Sequence, residues 1–277
     1  MNRKNTRFNA LGTLTVCVMG VLSAIMLLPF VWMLSLAFKS NTEIISGFSI
    51  IPHQWSSNGF RSVLEKGSMV LYWFRNSLIV TVSITALAVS TSAIAGYLFA
   101  KFQFKAKTAI FLLFLSGMMV PFQVTMIPVF LLMKELNLLN SIWALILPAI
   151  VSPFGIFLSR QFIEVVPTEV MEAARIDGAG EYRTFFRIII PQILPILSAL
   201  SVFLFIQYWN DYLWPLIILN EQKKMTLSLG LQYFGNMNAT DYAGTMFMAL
   251  IIMAPIIILF LCFQKQFIKG ITLTGMK

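Results

Sequence analysis

The chain contains few charged residues. Lys, Arg, Asp and Glu make up 11% of its 277 residues, whereas an ordinary soluble domain carries roughly 25%. Hydrophobic residues account for 58% of the chain. This composition excludes a typical soluble domain and indicates a protein that crosses a membrane several times.

Cysteine and histidine are also scarce. Cys17 and Cys262 lie inside apolar stretches, and His53 is the one histidine, so the sequence offers neither a disulfide framework nor metal-ligand spacing. A membrane-embedded enzyme would need clustered catalytic groups, and neither histidines nor paired intramembrane carboxylates supply them. We therefore predict no metal, no cofactor and no enzymatic activity.

Two further motif classes are absent. No Gly-x-x-x-x-Gly-Lys-Ser/Thr phosphate loop occurs, so the chain cannot hydrolyse ATP by that route. The net charge is +9, but there is no soluble basic face with interleaved aromatic residues. Nucleic acid is therefore not an expected partner.

Six apolar stretches are long enough to cross a bilayer, whose core needs roughly 20 residues per helix. We predict an all-α membrane protein in which residues 1–277 form a single transmembrane domain. The six predicted helices lie at about residues 11–38, 73–100, 108–133, 141–163, 188–219 and 243–263.

Lys and Arg are distributed unequally between the two sides. With the N-terminus inside, thirteen of the twenty lie on the cytoplasmic side. The positive-inside rule therefore favours both termini in the cytoplasm, where the positive charge meets anionic lipid. The first outer connection, about residues 39–72, is interpreted as an outer cap or partner surface because it is too polar to be membrane-buried.

The connection at about residues 165–187 differs from an ordinary loop. Pro167 and Glu169 favour the start of a helix, and Gly178 is placed to end it. A second short helical piece leads into the fifth stretch. The sequence thus predicts a helix-turn-helix hairpin at the inner surface.

Two interpretations of this hairpin are open. One is an amphipathic connector resting at the lipid interface, which usually carries large apolar side chains opposite Lys or Arg. The other is a protein-docking element with a small, mildly apolar face. That face comprises Val170, Ala173, Ala174 and Asp177. Four acids between Glu169 and Glu181 would repel an anionic inner leaflet, so we favour protein docking.

Several segments resemble one family. Glu172-Ala173-Ala174, Asp177-Gly178 and Ile188-Ile189-Ile190-Pro191 resemble the EAA signature of bacterial ABC importer permeases. Further segments are similar to the carbohydrate-type permease subunits of the maltose importer class. These are Met118 to Gln123 with Met126-Ile127-Pro128, Trp209-Asn210-Asp211 with Trp214-Pro215-Leu216, and the tail Phe267 to Thr272. The resemblance covers most of the chain after about Asn76.

The resemblance implies a multi-pass permease subunit in a bacterial plasma membrane that forms half of a translocation pathway. The implied partners are a second homologous permease, a dimeric cytoplasmic ABC ATPase and an extracytoplasmic solute-binding protein. ATP and Mg would be used by the ATPase, which would receive a coupling helix. The implied coupling residues are Glu172, Ala173, Ala174, Asp177 and Gly178.

The substrate pathway is less clearly marked. Asn210, Asp211 and Gln123 are candidate pathway or gate residues, because an acid in the membrane is costly unless it faces water, protein or the interface. The alternative for Asp211 is the water edge of an aromatic belt. The resemblance implies that the solute is a sugar or oligosaccharide, or alternatively a non-sugar such as a polyol phosphate. An ion-coupled carrier also uses broken helices, but this chain has almost no acids away from the span ends.

Overall fold

The computed structural model describes residues 10–236 and 239–274. In this part of the chain the α-helices are, in order, α1 (Ala10–Ala37), α2 (Asn41–Ser46), α3 (Asn58–Glu65), α4 (Gly67–Lys101), α5 (Lys107–Met119), α6 (Phe122–Glu135), α7 (Trp143–Ile146), α8 (Pro153–Glu164), α9 (Thr168–Ile176), α10 (Glu181–Thr184), α11 (Ile190–Trp209), α12 (Leu213–Ile218), α13 (Leu227–Gly230) and α14 (Tyr242–Thr274). Short 3-10 helices lie at Leu147–Ala149, Gln222–Lys224 and Leu231–Phe234, and a π-helix lies at Phe185–Ile189.

A pair of two-residue strands interrupts this helical fold. β1 (Gly235–Asn236) and β2 (Ala239–Thr240) pair antiparallel, with Gly235 opposite Thr240. The predicted all-α class is confirmed. Of the thirteen Lys and Arg residues counted on the cytoplasmic side, four, Arg3, Lys4, Arg7 and Lys277, lie outside the described residues.

Within the described residues, four helical segments are individually long and apolar enough to cross a membrane. They are Gly12–Ala37, Gly67–Lys101, Glu181–Trp209 and Tyr242–Gln264. Two bent helix pairs bring the total to six if each pair counts as one span. The predicted six spans are thus accommodated, but not as six continuous helices.

The predicted apolar helix at 108–133 is divided into two helices in the structure. α5 and α6 meet at an angle of 103°, because Pro121 disfavours helical backbone at the residue before it. Val120 is accordingly extended, with φ −89° and ψ 116°. Pro128 lies inside α6 without ending that helix.

The stretch at 141–163 is also divided, with a bend of 40° between Trp143–Ala149 and α8. Ser152 and Pro153 explain why a new helix, α8, begins at this point. The Ser152 hydroxyl accepts a hydrogen bond from the Gly155 backbone N–H at 3.1 Å, and proline suits the first helical position that follows such a cap.

The predicted helix at 188–219 ends early. α11 finishes at Trp209 with Asn210 as its C-cap, and α12 begins at Leu213. Asp211 Oδ1 accepts a long hydrogen bond, 3.5 Å, from the Trp214 backbone N–H. Asn and Asp side chains compete with the backbone for hydrogen bonds and so favour such interruptions.

The described residues fall into two compact units, one within Met1–Gly67 and Leu231–Ile252 and the other within Ser68–Gly230 and Met253–Lys277. In the first unit, Asp241 fixes the start of α14. Its carboxylate accepts hydrogen bonds from Asn41 Nδ2, Ser62 Oγ and the Gly244 backbone N–H. Burial acts to raise the pKa of Asp241, but these hydrogen bonds outweigh it and hold the pKa below its ordinary value.

In the second unit, close helix contact depends on small residues. A Cβ on Gly96 of α4 would lie 2.6 Å from the Ser159 Cβ and 2.9 Å from the Arg160 backbone nitrogen of α8. Separations below 3.0 Å cannot be accommodated without a shift of the helices. The glycine at position 96 therefore allows the short distance between α4 and α8, the helices against which the hairpin packs.

Candidate functional site

The predicted hairpin at 165–187 consists of α9 and α10 with a turn between them. Pro167 is the N-cap of α9 and Glu169 lies in its first turn, so the helix begins where the sequence predicts. Glu169 there complements the positive end of the helix dipole.

Gly178 ends α9, as predicted. Its φ is +78°, a left-handed conformation that glycine adopts without strain. The Gly178 N–H donates to the Arg175 carbonyl at 3.0 Å, and the Ala179 N–H donates to the Ala174 carbonyl at 2.8 Å. These two bonds form a Schellman motif, so the turn geometry is fixed by the backbone.

The face that α9 buries differs from the predicted one. Met171 and Ala174 pack inward and are 1% and 7% exposed, whereas Val170, Ala173 and Asp177 stay exposed. A Met at position 171 provides the apolar volume that the small alanines lack. The outer face is free for a partner.

The outward face of α9 borders an open groove of about 390 Å³. Its lining includes Ala173 and Asp177 from α9 and its C-cap, together with Arg183 and Arg187. Beyond the groove, Ile176 and Tyr182 are 87% and 85% exposed. The tip of the hairpin thus combines large apolar side chains with charges of both signs, a composition found at protein interfaces.

Glu181 connects the hairpin to the membrane helices. Its Oε1 pairs with Arg175 Nη2 at 2.9 Å, and its Oε2 accepts a hydrogen bond from Tyr97 Oη of α4 at 2.9 Å. One carboxylate therefore joins α9, α10 and α4.

An apolar cluster beneath the hairpin reinforces this connection. Its buried members come from α4, α8, the connection between α8 and α9, α9, the π-helix and α11. They are Ala93, Tyr97, Ile163, Val166, Met171, Phe185, Ile189, Ile193 and Leu197. Since buried clusters of this kind resist deformation, the hairpin and the helices that hold it form one closely packed unit.

A second feature is a cavity of about 300 Å³ that opens where the helices are broken. Its lining comes from α4, the start of α6, α7 and the residues after it, the end of α11, the connection between α11 and α12, α12 itself and the residue before α13. The lining residues are Val80, Ile84, Phe122, Gln123, Leu145, Pro148, Ala149, Gln207, Tyr208, Asp211, Leu213, Trp214, Pro215 and Thr226.

Two of the three predicted pathway residues meet in this cavity. Gln123 and Asp211 both line it, although 88 positions separate them in the chain. Asn210 does not line it. Its side-chain amide instead donates to the Ile206 carbonyl at 3.0 Å, which caps the end of α11.

Several polar side chains line the cavity, whose surface is otherwise mainly apolar. Burial raises the pKa of the Asp211 carboxyl, while nearby backbone N–H groups at Trp214, Leu213 and Tyr212 act in the opposite direction. Thr226 is 5% exposed, and its Oγ1 has no hydrogen-bond partner in the described part of the chain. Such a group is costly unless a ligand or water satisfies it.

Sequence reasoning missed Gln207, Thr226 and the Tyr97–Glu181 contact. Gln207 had a detectable signal, because within the predicted helix at 188–219 it lies four residues before Asp211, a spacing that would put both on one face. Thr226 and Tyr97 had none. Each is brought into its site by a contact between segments far apart in the sequence.

Comparison with known proteins identifies relatives over nearly the whole chain. Residues 88–273 match the family described as "Binding-protein-dependent transport system inner membrane component". The chain is 35% identical to the arabinooligosaccharides transport system permease protein AraQ of Halalkalibacterium halodurans, with 90% of each chain covered. It is 32% identical to the lactose transport system permease protein LacG of Rhizobium radiobacter, with 91% and 92% covered.

The fold has a solved counterpart. A chain from the crystal structure of a bacterial ABC transporter involved in the import of the acidic polysaccharide alginate superimposes with a TM-score of 0.82. The two chains are 20% identical, and the match covers 96% of this chain and 99% of the other. At this identity the likeness shows a shared fold.

The Tyr97–Glu181 contact generates a prediction. Tyr97→Phe removes one hydrogen bond to a carboxylate, so we expect local opening of the hairpin to become easier by about 1 kcal/mol and amide exchange at residues 181–186 to quicken about fivefold. Tyr182→Phe is the matched control because Tyr182 is 85% exposed. Equal exchange rates in the two variants, measured by mass spectrometry, would contradict the proposed link.

Proposed function

Because this chain belongs to the family of binding-protein-dependent transport system inner membrane components, we propose that it is a permease subunit of an ATP-driven importer for a sugar or oligosaccharide. The observation that carries this proposal is the near full-length similarity to permeases whose names specify arabinooligosaccharides and lactose. Catalysis of ATP hydrolysis is assigned to a partner.

The hairpin is the proposed docking site for the partner ATPase. Support comes from the exposed Ile176 and Tyr182, which offer apolar anchors, and from the adjoining groove with Arg183 and Arg187. Aromatic and Arg side chains dominate the binding energy of many protein interfaces. Glu172, Ala173 and Asp177 are exposed beside them.

The energy of ATP would reach the pathway through rigid-body motion. A partner that closes on ATP binding displaces the hairpin, and the Glu181 contacts and the buried cluster carry that displacement to α4, α8 and α11. Each arrangement of these helices corresponds to one state of the pathway. The partner changes the populations of the two states by binding them with different affinity.

The cavity is the proposed part of the translocation pathway that meets the solute. Gln123, Gln207 and Thr226 supply neutral donors and acceptors, and Asp211 supplies a carboxylate that accepts hydrogen bonds from hydroxyl groups. Among the described lining residues there is no Lys or Arg, which disfavours a phosphorylated solute. A neutral or hydroxyl-rich sugar fits this lining best.

Orientation completes the proposal. Placing both termini in the cytoplasm puts the hairpin on the side where ATP is available and places most Lys and Arg on the same side. The solute would be delivered from the opposite side by a binding protein. A second, homologous permease would supply the other half of the pathway.

The subunit composition tests this assignment. We expect the tagged chain, extracted gently from its native membrane, to copurify with a homologous permease and an ABC ATPase, as identified by mass spectrometry. A homo-oligomer without an ATPase would overturn the importer assignment and favour an ion-coupled carrier.

The Gly178 turn yields a second prediction. Gly178→Val should leave membrane insertion intact but reduce uptake about tenfold, because a left-handed conformation costs a side-chain-bearing residue about 1–2 kcal/mol and the turn must change. Uptake and ATPase activity are measured together in proteoliposomes containing the complex. Loss of uptake with retained ATPase activity is the expected uncoupled result.

Two variants serve as controls for this turn. Gly180 has φ −70° and open space around it, so Gly180→Val should remain coupled. Gly178→Asn should recover much of the activity since Asn tolerates the left-handed conformation. Normal uptake by Gly178→Val would argue strongly against the docking role of the hairpin.

The cavity yields a third prediction. Asp211→Asn keeps the shape of the side chain but removes its charge, so we expect the half-saturating sugar concentration for uptake to rise about tenfold. Arabinooligosaccharides and lactose are the first solutes to assay. Asn210→Ala is the matched control outside the cavity, and unchanged transport by Asp211→Asn would assign that residue to the membrane interface.

A further inference from the structure

The segment that follows α1, residues 41–57, exposes its large apolar side chains. We call it the outer segment. Ile45, Phe48, Ile51 and Trp55 are 70%, 72%, 72% and 75% exposed. Single exposed apolar residues are common, but several in one short segment mark a surface that is covered by something other than water.

Two charged side chains at the start of the outer segment or just before it, Glu43 and Lys39, make internal hydrogen bonds. Lys39, at the end of α1, is 1% exposed, and its Nζ donates to the Ser49 carbonyl at 2.6 Å and to the Ser49 hydroxyl at 2.7 Å. Glu43 Oε1 accepts a hydrogen bond from the His53 backbone N–H at 2.9 Å. Satisfying polar groups internally is a requirement for backbone that enters a lipid environment.

The outer segment also folds back along the spanning helix. The Phe48 and Trp32 ring centroids are 5.3 Å apart, and Ile50 lines an apolar groove with residues of α1 between Ala24 and Trp32. Trp32 lies five residues before the end of α1 at Ala37, which corresponds to about 8 Å along the helix axis. Phe48 and Ile50 therefore lie below the level at which α1 ends.

We propose that the outer segment is an interfacial membrane anchor, and that phospholipid of the leaflet in which α1 ends covers Phe48, Ile50 and Ile51. Interfacial elements bury their apolar faces about 5–10 Å into the boundary between headgroups and acyl chains, which matches the depth set by Trp32. Continuity with α1 brings the segment to the bilayer. The Trp55 ring lies 6.0 Å from the ring of Phe38, which directly follows α1, and Trp is a residue enriched at membrane interfaces.

This inference revises the expectation that residues 39–72 are too polar to enter the membrane. A mean hydropathy averages all the side chains of the segment, whereas the fold places different side chains on its inner and outer sides. Lys39 and Glu43 make internal hydrogen bonds, so the large side chains that the segment exposes, Ile45, Phe48, Ile51 and Trp55, are apolar. The anchor would fix the depth and tilt of the end of α1.

Spin-label accessibility tests the proposal on the full chain, in its complex and reconstituted in phospholipid nanodiscs. Cys17 and Cys262 are first replaced by Ala, and single cysteines are then introduced as Phe48→Cys, Ile51→Cys and, as an exposed control on α3, Glu65→Cys. We expect the ratio of oxygen to nickel-chelate collisions at positions 48 and 51 to be several-fold higher than at position 65, as lipid contact requires.

Two other outcomes would overturn the anchor. Frequent nickel-chelate collisions at 48 and 51 would place the segment in water. Low collision rates with both reagents would mean that protein covers it, as for a docking surface.

A label-free measurement guards against perturbation by the nitroxide. In nanodiscs made with brominated phospholipid, the fluorescence lost on Trp55→Phe substitution should be smaller than in ordinary lipid, since bromine already quenches Trp55. An equal loss in the two lipids would show that Trp55 lies away from the bilayer and would contradict the proposal.

Discussion

The structure depends on the requirement that backbone N–H and C=O groups be paired wherever water is excluded. Long helices meet this requirement along α1, α4, α11 and α14. Where a helix stops inside the apolar region, a specific residue accounts for it. Pro121 interrupts the helix before α6, and Ser152 caps the start of α8.

These interruptions create the cavity. The break between α5 and α6 places Gln123 at a helix start, and the end of α11 places Gln207 and Asp211 opposite it. A continuous bundle would fill this space with apolar side chains. The same local features that prevent six uninterrupted spans thus provide the polar groups that a hydroxyl-rich solute would need.

The hairpin combines a rigid attachment with an adaptable outer surface. Met171 and Ala174 are buried, and Glu181 joins Arg175 to Tyr97, so the hairpin is held to the membrane helices by packing and by a charged hydrogen bond. Ile176 and Tyr182 contribute little to that attachment because they project outward. Separate residues therefore serve attachment and recognition, and each set can be altered with limited effect on the other.

Composition and local pattern by themselves determined the all-α membrane class, the approximate positions of the apolar helices and the hairpin with Gly178 at its turn. These features depend on hydrophobicity summed over about 20 residues or on the conformational freedom of one glycine, and both can be read within a short window. The tertiary structure decided which face of α9 is buried, the pairing of Glu181 with Tyr97, the meeting of Gln123 with Asp211, and the inward turn of Lys39. Each of these requires a contact that the local pattern does not encode, because packing and long-range hydrogen bonds select among faces and partners that are locally equivalent.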